Sequence, residues 1–159
     1  MAFNVSLAAQ MSTPWKLRLW MVRHLPMGWL TGMYVHRLTP EGCEVVLQDR
    51  WWIRNPFGSV FWAVMGMAGE LSTGMLLHAW LRDAGVRFIL VGVEARFFKK
   101  AKGKSFYFCE AGMTIPQVIE SVLQNEESGE ILLPVTARDA KGEHLADFMF
   151  NWQLRKPTI

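Results

Sequence analysis

The chain has 159 residues, of which 51% are hydrophobic and only 19% are charged. This composition argues against intrinsic disorder, and at this length one hydrophobic core can stabilise a fold without disulfides or a metal. We therefore expect a single domain over residues 1–159. Eight Trp, ten Phe and ten Met give an excess of large apolar side chains. Another subunit, a ligand or a membrane should cover part of the surface that they form.

The net charge of +3 does not single out a nucleic-acid partner. The basic residues form one run, at Lys99, Lys100, Lys102 and Lys104. Such a run is more typical of a solvated turn than of a nucleic-acid-binding face. Cys43 and Cys109 have neither disulfide nor metal-ligand spacing, so no metal site is predicted. Because no secretory signal is visible, we expect a reducing, cytoplasmic setting.

The first part of the chain predicts a helix and a hairpin. Residues 13–25 have apolar side chains at helical spacing after Thr13 and Pro14, which favours an amphipathic helix. Its basic residues would suit either packing on a sheet edge or a membrane-surface role. Two strands are predicted at 29–38 and 43–50, joined by a Thr-Pro-Glu-Gly turn.

A long apolar helix is predicted from Gly58 to Trp80. This segment is long enough to span a bilayer, but Glu70 lies in its middle, where a lone carboxylate is costly in lipid. The rest of the chain is rich in strand patterns. We therefore predict no transmembrane span and expect this helix to fill the core of the fold.

The remaining chain alternates strand patterns with one short helix pattern. The predicted elements cover residues 91–98, 105–111, 114–123, 130–138 and 144–154. The first of them has the alternation of a half-buried strand. Thr114 and Gln117 fit a capping box for the short helix. Pro134 indicates an edge position or a bulge in its strand.

Together these elements predict an α+β fold. Because hairpins dominate, the sheet should be antiparallel, with about six strands. We expect it to wrap around the long central helix, with an N-terminal helix and a short inserted helix outside.

Glu70 is the residue that most suggests chemistry. Between Asn55 and Leu81 it is the only Asp, Glu, Lys or Arg. A buried carboxylate is either hydrogen-bonded for structure or kept for a reaction. Thr73 lies on the same helical face and could bind a ligand, or its hydroxyl could bond to its own helix backbone.

The predicted helix start supplies complementary groups. Backbone N–H groups of Gly58, Ser59 and Val60 at the positive end of a helix could hold an oxyanion, although a plain N-cap would have the same sequence. Asn55 could orient a substrate. With Glu70 as general base or nucleophile, this set is chemically coherent for acyl transfer.

The segment WWIRNPFGSVFWAVMGMAGELSTG, residues 51–74, resembles the hotdog superfamily. Its branch looks like one catalogued as a domain of unknown function among relatives of acyl-CoA thioesterases. In phenylacetate-type thioesterases of this superfamily an Asn precedes a His-Gly-Gly helix start, and an acid follows the His by nine residues. Asn55 and Glu70 match these positions. Phe61, Trp62 and Ala63 replace His-Gly-Gly.

The resemblance implies a homodimer, or a tetramer made of two such dimers, and an acyl-CoA substrate without a separate cofactor. Lys99 and Lys100 could meet the phosphates of coenzyme A, while Phe61 and Trp62 could line an acyl tunnel. The sequence thus favours a thioester hydrolase. The alternative is a non-catalytic binder of fatty-acyl or other hydrophobic ligands on the same fold.

Overall fold

A computed structural model describes residues 2–124 and 128–156 as one mixed α and β structure. Its helices are α1 (Val5–Met11), α2 (Pro14–His24), α3 (Pro26–Thr31), α4 (Trp62–Leu81) and α5 (Ile115–Gln124). Its strands are β1 (Tyr34–Leu38), β2 (Cys43–Gln48), β3 (Arg87–Phe97), β4 (Lys104–Cys109), β5 (Ser128–Asp139) and β6 (His144–Arg155).

The six strands form one antiparallel sheet in the order β1-β2-β4-β5-β6-β3. The central strands β2, β4, β5 and β6 all contact α4. At Gly69 the helix approaches the sheet so closely that a Cβ atom would lie 2.9 Å from the Phe150 ring. The predicted antiparallel sheet around a long central helix is therefore confirmed, as is the short inserted helix α5.

The long helix begins later than its apolar sequence predicts. It starts at Trp62 rather than Gly58, because the preceding residues turn back on themselves and Arg54 pairs with Val60 in an isolated antiparallel bridge. Phe61 occupies the N-cap position with extended backbone, φ −64° and ψ 133°. In the described part of the chain no helix combines the length and apolarity needed to cross a bilayer.

The N-terminal part is more helical than its sequence predicts. The single predicted helix is α2, and α1 and α3 flank it. The strand predicted from Trp29 begins only at Tyr34, because Pro26 starts a further short helix and Gly32, with φ 75°, ends it. Proline suits the first turn of a helix and glycine suits the left-handed position after it.

Of two local predictions in the second half, one is confirmed and one is wrong. β4 pairs only with Thr136–Asp139 of β5 and does not reach Pro134, which pairs on its other side with Met149 of β6, so Pro134 has the predicted edge position although β5 as a whole is an interior strand. The capping box is the wrong one. The Thr114 hydroxyl donates to the Ala111 carbonyl oxygen instead of forming a capping box.

The two edges of the sheet differ. At one edge, β1 has five residues and a bulge between Val35 and Arg37. At the other, β3 has eleven residues, and its predicted half-buried row is exposed in the single chain. Apolar side chains stand exposed along β3 at Ile89, Val91, Val93 and Phe97. The alternation of apolar and polar residues along β3 indicates a face that is suited to burial. In the single chain this face stays exposed.

Candidate functional site

The turn before α4 is organised by the side chain of Asn55. Its Oδ1 accepts hydrogen bonds from the backbone N–H groups of Phe57 (3.0 Å) and Ser59 (3.2 Å). Its Nδ2 donates to the Ser59 hydroxyl oxygen at 3.1 Å. In the single chain Asn55 therefore holds this turn, and its contact with a substrate stays a prediction.

The predicted oxyanion donors are also occupied. Gly58 N–H donates to the Asn55 carbonyl at 3.1 Å, and Ser59 N–H donates to the Asn55 side chain. Val60 N–H donates to the Ala101 carbonyl at 3.0 Å. Because the helix begins only at Trp62, these three residues belong to the turn and their amides are bonded within the protein. In the single chain none of the three amides is available to an oxyanion.

The first turn of α4 offers two other backbone amides as donors, those of Trp62 and Ala63. Neither N–H has an acceptor among the described residues, as is usual for the first amides of a helix. Both point out of the positive end of a 20-residue helix. The sequence analysis did not select them as donors. The spacing could have indicated them, because Phe61 lies nine residues before Glu70 and so aligns with the His of the thioesterase pattern, and Trp62 and Ala63 then align with its two glycines.

A cavity of about 340 Å³ adjoins this first turn, and we call it the helix-start cavity. It is lined by Asn55, Ser59, Val60, Trp62, Met65, Phe97, Phe98, Lys99, Lys100 and Ala101. Lys100 Nζ donates to the Phe57 carbonyl at 2.8 Å, and Lys99 forms an ion pair with Glu143 at 2.7 Å. The structure thus brings the predicted lysines to the helix start, with the charge of Lys99 partly balanced.

Glu70 lies in a different place, in a mainly apolar groove of about 240 Å³ that we call the Glu70 groove. Its walls are Trp20, His24, Leu25, Met67, Leu71, Gly74, Met75, His78, Phe88 and Trp152. The Glu70 side chain is exposed in the single chain, so the prediction of a buried carboxylate is wrong. Protein nevertheless surrounds it on the groove side, and this partial desolvation raises the pKa of Glu70.

His78 is a groove residue that the sequence reasoning did not select. It lies eight residues after Glu70 on the same helical row and is half-buried. Burial, and secondarily the charge of Arg82, lower the pKa of His78 and favour its neutral form. The spacing of two i+4 steps from Glu70 could have pointed to it.

Thr73 does not face a ligand. Its side chain is buried, its hydroxyl donates to the Glu70 carbonyl at 3.0 Å, and it accepts from Trp152 Nε1 at 3.1 Å. Both partners of the Thr73 hydroxyl thus lie within the fold, and the structure gives no support to its predicted contact with substrate. Thr73 instead fixes Trp152, one wall of the Glu70 groove.

The two halves of the candidate site are separated along α4. Trp62 and Glu70 are eight residues apart, which is about 12 Å along a helix axis. Phe61 and Trp62 are exposed at the helix start, with their rings edge to face at 5.9 Å. Within one chain, Trp62 and Glu70 therefore line two different cavities.

Comparison with known proteins confirms the family resemblance. A family model described as "Domain of unknown function (DUF4442)" matches residues 13–154, most of the chain. The chain belongs to this DUF4442 family. No curated protein matches the sequence.

Solved structures with the hotdog arrangement, an antiparallel sheet around a long central helix, superpose on this DUF4442 chain. A Pseudomonas aeruginosa protein of unknown function, described as a "Probable Thioesterase", has a TM-score of 0.79 and 21% identity over 93% of this chain and 99% of its own. A thioesterase from Haemophilus influenzae has a TM-score of 0.71 and 11% identity over 91% of both chains. At these identities the likeness establishes the fold alone.

Proposed function

We propose that this DUF4442 protein is a thioester hydrolase that acts on an acyl-CoA. One observation carries the proposal: a carboxylate with a raised pKa, Glu70, lies in an apolar groove on the helix whose first amides have no acceptor among the described residues. Those amides suit a developing oxyanion, and the carboxylate suits a general base. The hotdog fold, shared with a thioesterase, supports the assignment.

The chemistry follows from these two groups. Glu70 removes a proton from a water molecule, whose oxygen attacks the thioester carbonyl carbon. The negative charge on the carbonyl oxygen is held by the N–H of Trp62 and by that of Ala63. When this intermediate collapses, the carbon–sulfur bond breaks and the coenzyme A sulfur takes the proton back from Glu70. The products are a carboxylic acid and a thiol, and no further reactant is needed.

Trp62 and Glu70 lie about 12 Å apart along the axis of α4 and open onto different cavities. An oxyanion donor must lie about 3 Å from the carbonyl oxygen, and a general base must reach the attacking water, so a site built from two chains suits these groups better than a site within one chain. We therefore propose a homodimer in which Trp62 of one copy and Glu70 of the other act on the same substrate. The long, apolar β3 edge is suited to pairing with a second copy, which would also withdraw Glu70 further from water.

Coenzyme A would bind at the helix-start cavity, and the acyl group would extend past Phe61 and Trp62 toward the Glu70 groove. Lys100 is held beside the turn by the Phe57 carbonyl and retains its charge for a phosphate. Lys99 would have to exchange its partner, Glu143, for a phosphate. Cys43 and Cys109 are both free and buried, which suits a reducing compartment such as the cytoplasm.

The test is thiol release from a panel of acyl-CoA thioesters. We expect Glu70→Gln to lower kcat by about a thousandfold, because the amide cannot accept the proton of water. Glu120→Gln on α5 is the matched control, since Glu120 is exposed and outside both cavities, and it should retain wild-type turnover. Turnover that is unchanged in Glu70→Gln would exclude the proposed base.

The pH profile gives a second measurement on the same proteins. A base works only when deprotonated, so kcat should rise with pH through the pKa of Glu70. Because desolvation places this pKa above its ordinary value of 4.5, the acidic limb should lie above that pH. The limb should disappear from any residual activity of Glu70→Gln.

The binder alternative is favoured by one feature, the aromatic pair at the helix start. Phe61 is 43% and Trp62 is 59% exposed, where the thioesterase pattern has His and Gly. Saturable binding of acyl-CoA by the wild-type protein, without release of thiol from any thioester, would support this second function.

A further inference from the structure

The outer face of α2 is apolar where a surface helix is normally polar. Trp15, Leu19 and Val22 are 65%, 69% and 53% exposed. Their spacing of i, i+4 and i+7 places them in one stripe along the helix. Leu17 and Met21 are fully buried on the opposite side. We call Trp15, Leu19 and Val22 the α2 stripe.

Basic side chains border the α2 stripe on both sides. With 100° of rotation per residue, Lys16 and Arg23 lie on one flank and Arg18 lies on the other. Lys16 Nζ sits over the Trp15 ring, 5.5 Å from its centroid. An apolar stripe with an aromatic residue, flanked by Lys and Arg, is the arrangement of helices that lie in the plane of a membrane interface.

Exposed apolar residues continue onto α3 and the turn beside it. Met27 and Leu30 are 56% and 49% exposed. Trp52 Nε1 donates to the Leu30 carbonyl at 3.3 Å, and Arg50 lies over the Trp52 ring at 5.2 Å. The pairing of an apolar side chain with a cation therefore recurs next to α2.

The charge of the chain is concentrated in the same region. Residues 2–40 contain four Lys or Arg and no Asp or Glu, whereas residues 41–159 contain 13 Lys or Arg and 14 Asp or Glu. The net positive charge thus resides in the segment that carries the α2 stripe. A second copy docked symmetrically on this face would bring like charges together. An anionic surface would be complementary to it.

We propose that the α2 stripe docks this protein on an anionic phospholipid surface. The helix lies parallel to the bilayer, the three apolar side chains enter the boundary between headgroups and acyl chains, and Lys16, Arg18 and Arg23 remain at the phosphates. This binding does not depend on the proposed hydrolysis.

The test is sedimentation of the full-length protein with vesicles of phosphatidylcholine containing about 30% phosphatidylglycerol, against phosphatidylcholine alone. The wild-type protein should bind the anionic vesicles more tightly, and its binding should weaken as salt rises. Leu19→Ser combined with Val22→Ser should weaken binding at least about tenfold. Leu132→Ser is the control, because Leu132 is 59% exposed on β5.

A charge reversal provides an independent arm. Arg18→Glu should weaken binding to anionic vesicles by at least about fivefold, while Lys141→Glu in the β5–β6 turn should leave it unchanged. The proposal is overturned if the folded wild-type protein does not sediment with anionic vesicles, or if the α2 variants bind these vesicles as tightly as the wild-type protein does. A change in oligomeric mass in the Leu19 variant, without a change in vesicle binding, would assign the face to a second copy instead. Turnover of dissolved acyl-CoA should be the same in all these variants, which separates this test from that of the hydrolase.

Discussion

The first turn of α4 and the middle of α4 present different chemical groups. At the first turn, the amides of Trp62 and Ala63 lie beside two lysines and a turn closed by hydrogen bonds. In the middle, Glu70 is the one carboxylate in a groove walled mostly by aromatic and aliphatic side chains. The helix thus holds amide donors at one place and a partly desolvated carboxylate at another. Under the proposed function these are two half-sites, and the comparison predicts that activity depends on association of two chains.

The largest expected effect tests whether the half-sites come from different chains. Trp62→Pro removes the first amide of α4, and the extended backbone of Phe61 already suits a residue before proline. Alone, this variant should lose about a hundredfold or more in kcat, beside the loss of about a thousandfold expected for Glu70→Gln. Mixed and reassembled, the two inactive variants should recover about a quarter of wild-type activity, since half of the dimers would hold one intact site.

Trp62→Ala is the matched control for this mixing experiment, because it removes the indole but keeps the amide. It should retain most of the activity by itself. If the mixture stays inactive although native mass spectrometry shows that mixed dimers form, the two groups do not act on one substrate across an interface.

A smaller effect should come from the turn that positions the first half-site. Asn55→Ala removes the acceptor of two amides and the donor to Ser59, so the start of α4 should shift. We expect kcat to fall about tenfold with little change in acyl-CoA affinity. Asn55→Asp keeps the acceptor oxygen and should recover most of the rate. An Asn55→Ala enzyme with wild-type kcat would show that the turn does not position the amides.

The smallest effect concerns the wall of the second half-site. Thr73→Val leaves the buried Trp152 Nε1 without its acceptor, which should cost about 1–3 kcal/mol of unfolding free energy in urea. Ser72→Ala is the control, because the buried Ser72 hydroxyl only donates to the carbonyl of Gly69 in its own helix. Equal losses of unfolding free energy in both variants would mean that the hydrogen bond from Trp152 does not contribute to stability.

The sequence predicts the fold better than the site, and the reason lies in the range of the interactions. The apolar run around Glu70 and the alternation in β5 and β6 are local patterns, and they suffice for a helix within an antiparallel sheet. The start of α4 is not local, because Asn55 bonds amides that a plain helix start would leave free. The identity of the free amides therefore could not be derived before the turn was known.

Burial was the least predictable property. A carboxylate within an apolar stretch of sequence is expected to be buried. The sequence does not indicate whether its own chain or a second chain buries it. Glu70 and the β3 residues Val91 and Val93 are exposed in the single chain. Thr73 shows the opposite case, since a hydroxyl that could have met a ligand is satisfied by Trp152, 79 positions away in the sequence.

The unequal edges of the sheet limit how many chains can assemble through strands. β1 is short, interrupted by a bulge and carries Arg37, features that discourage strand addition, whereas β3 is long and apolar. If two copies join β3 to β3, the outer boundaries of the joined sheet are both β1. Strand addition then stops at the dimer and does not continue into a fibre. The chain can therefore have an exposed apolar edge strand without open-ended polymerisation.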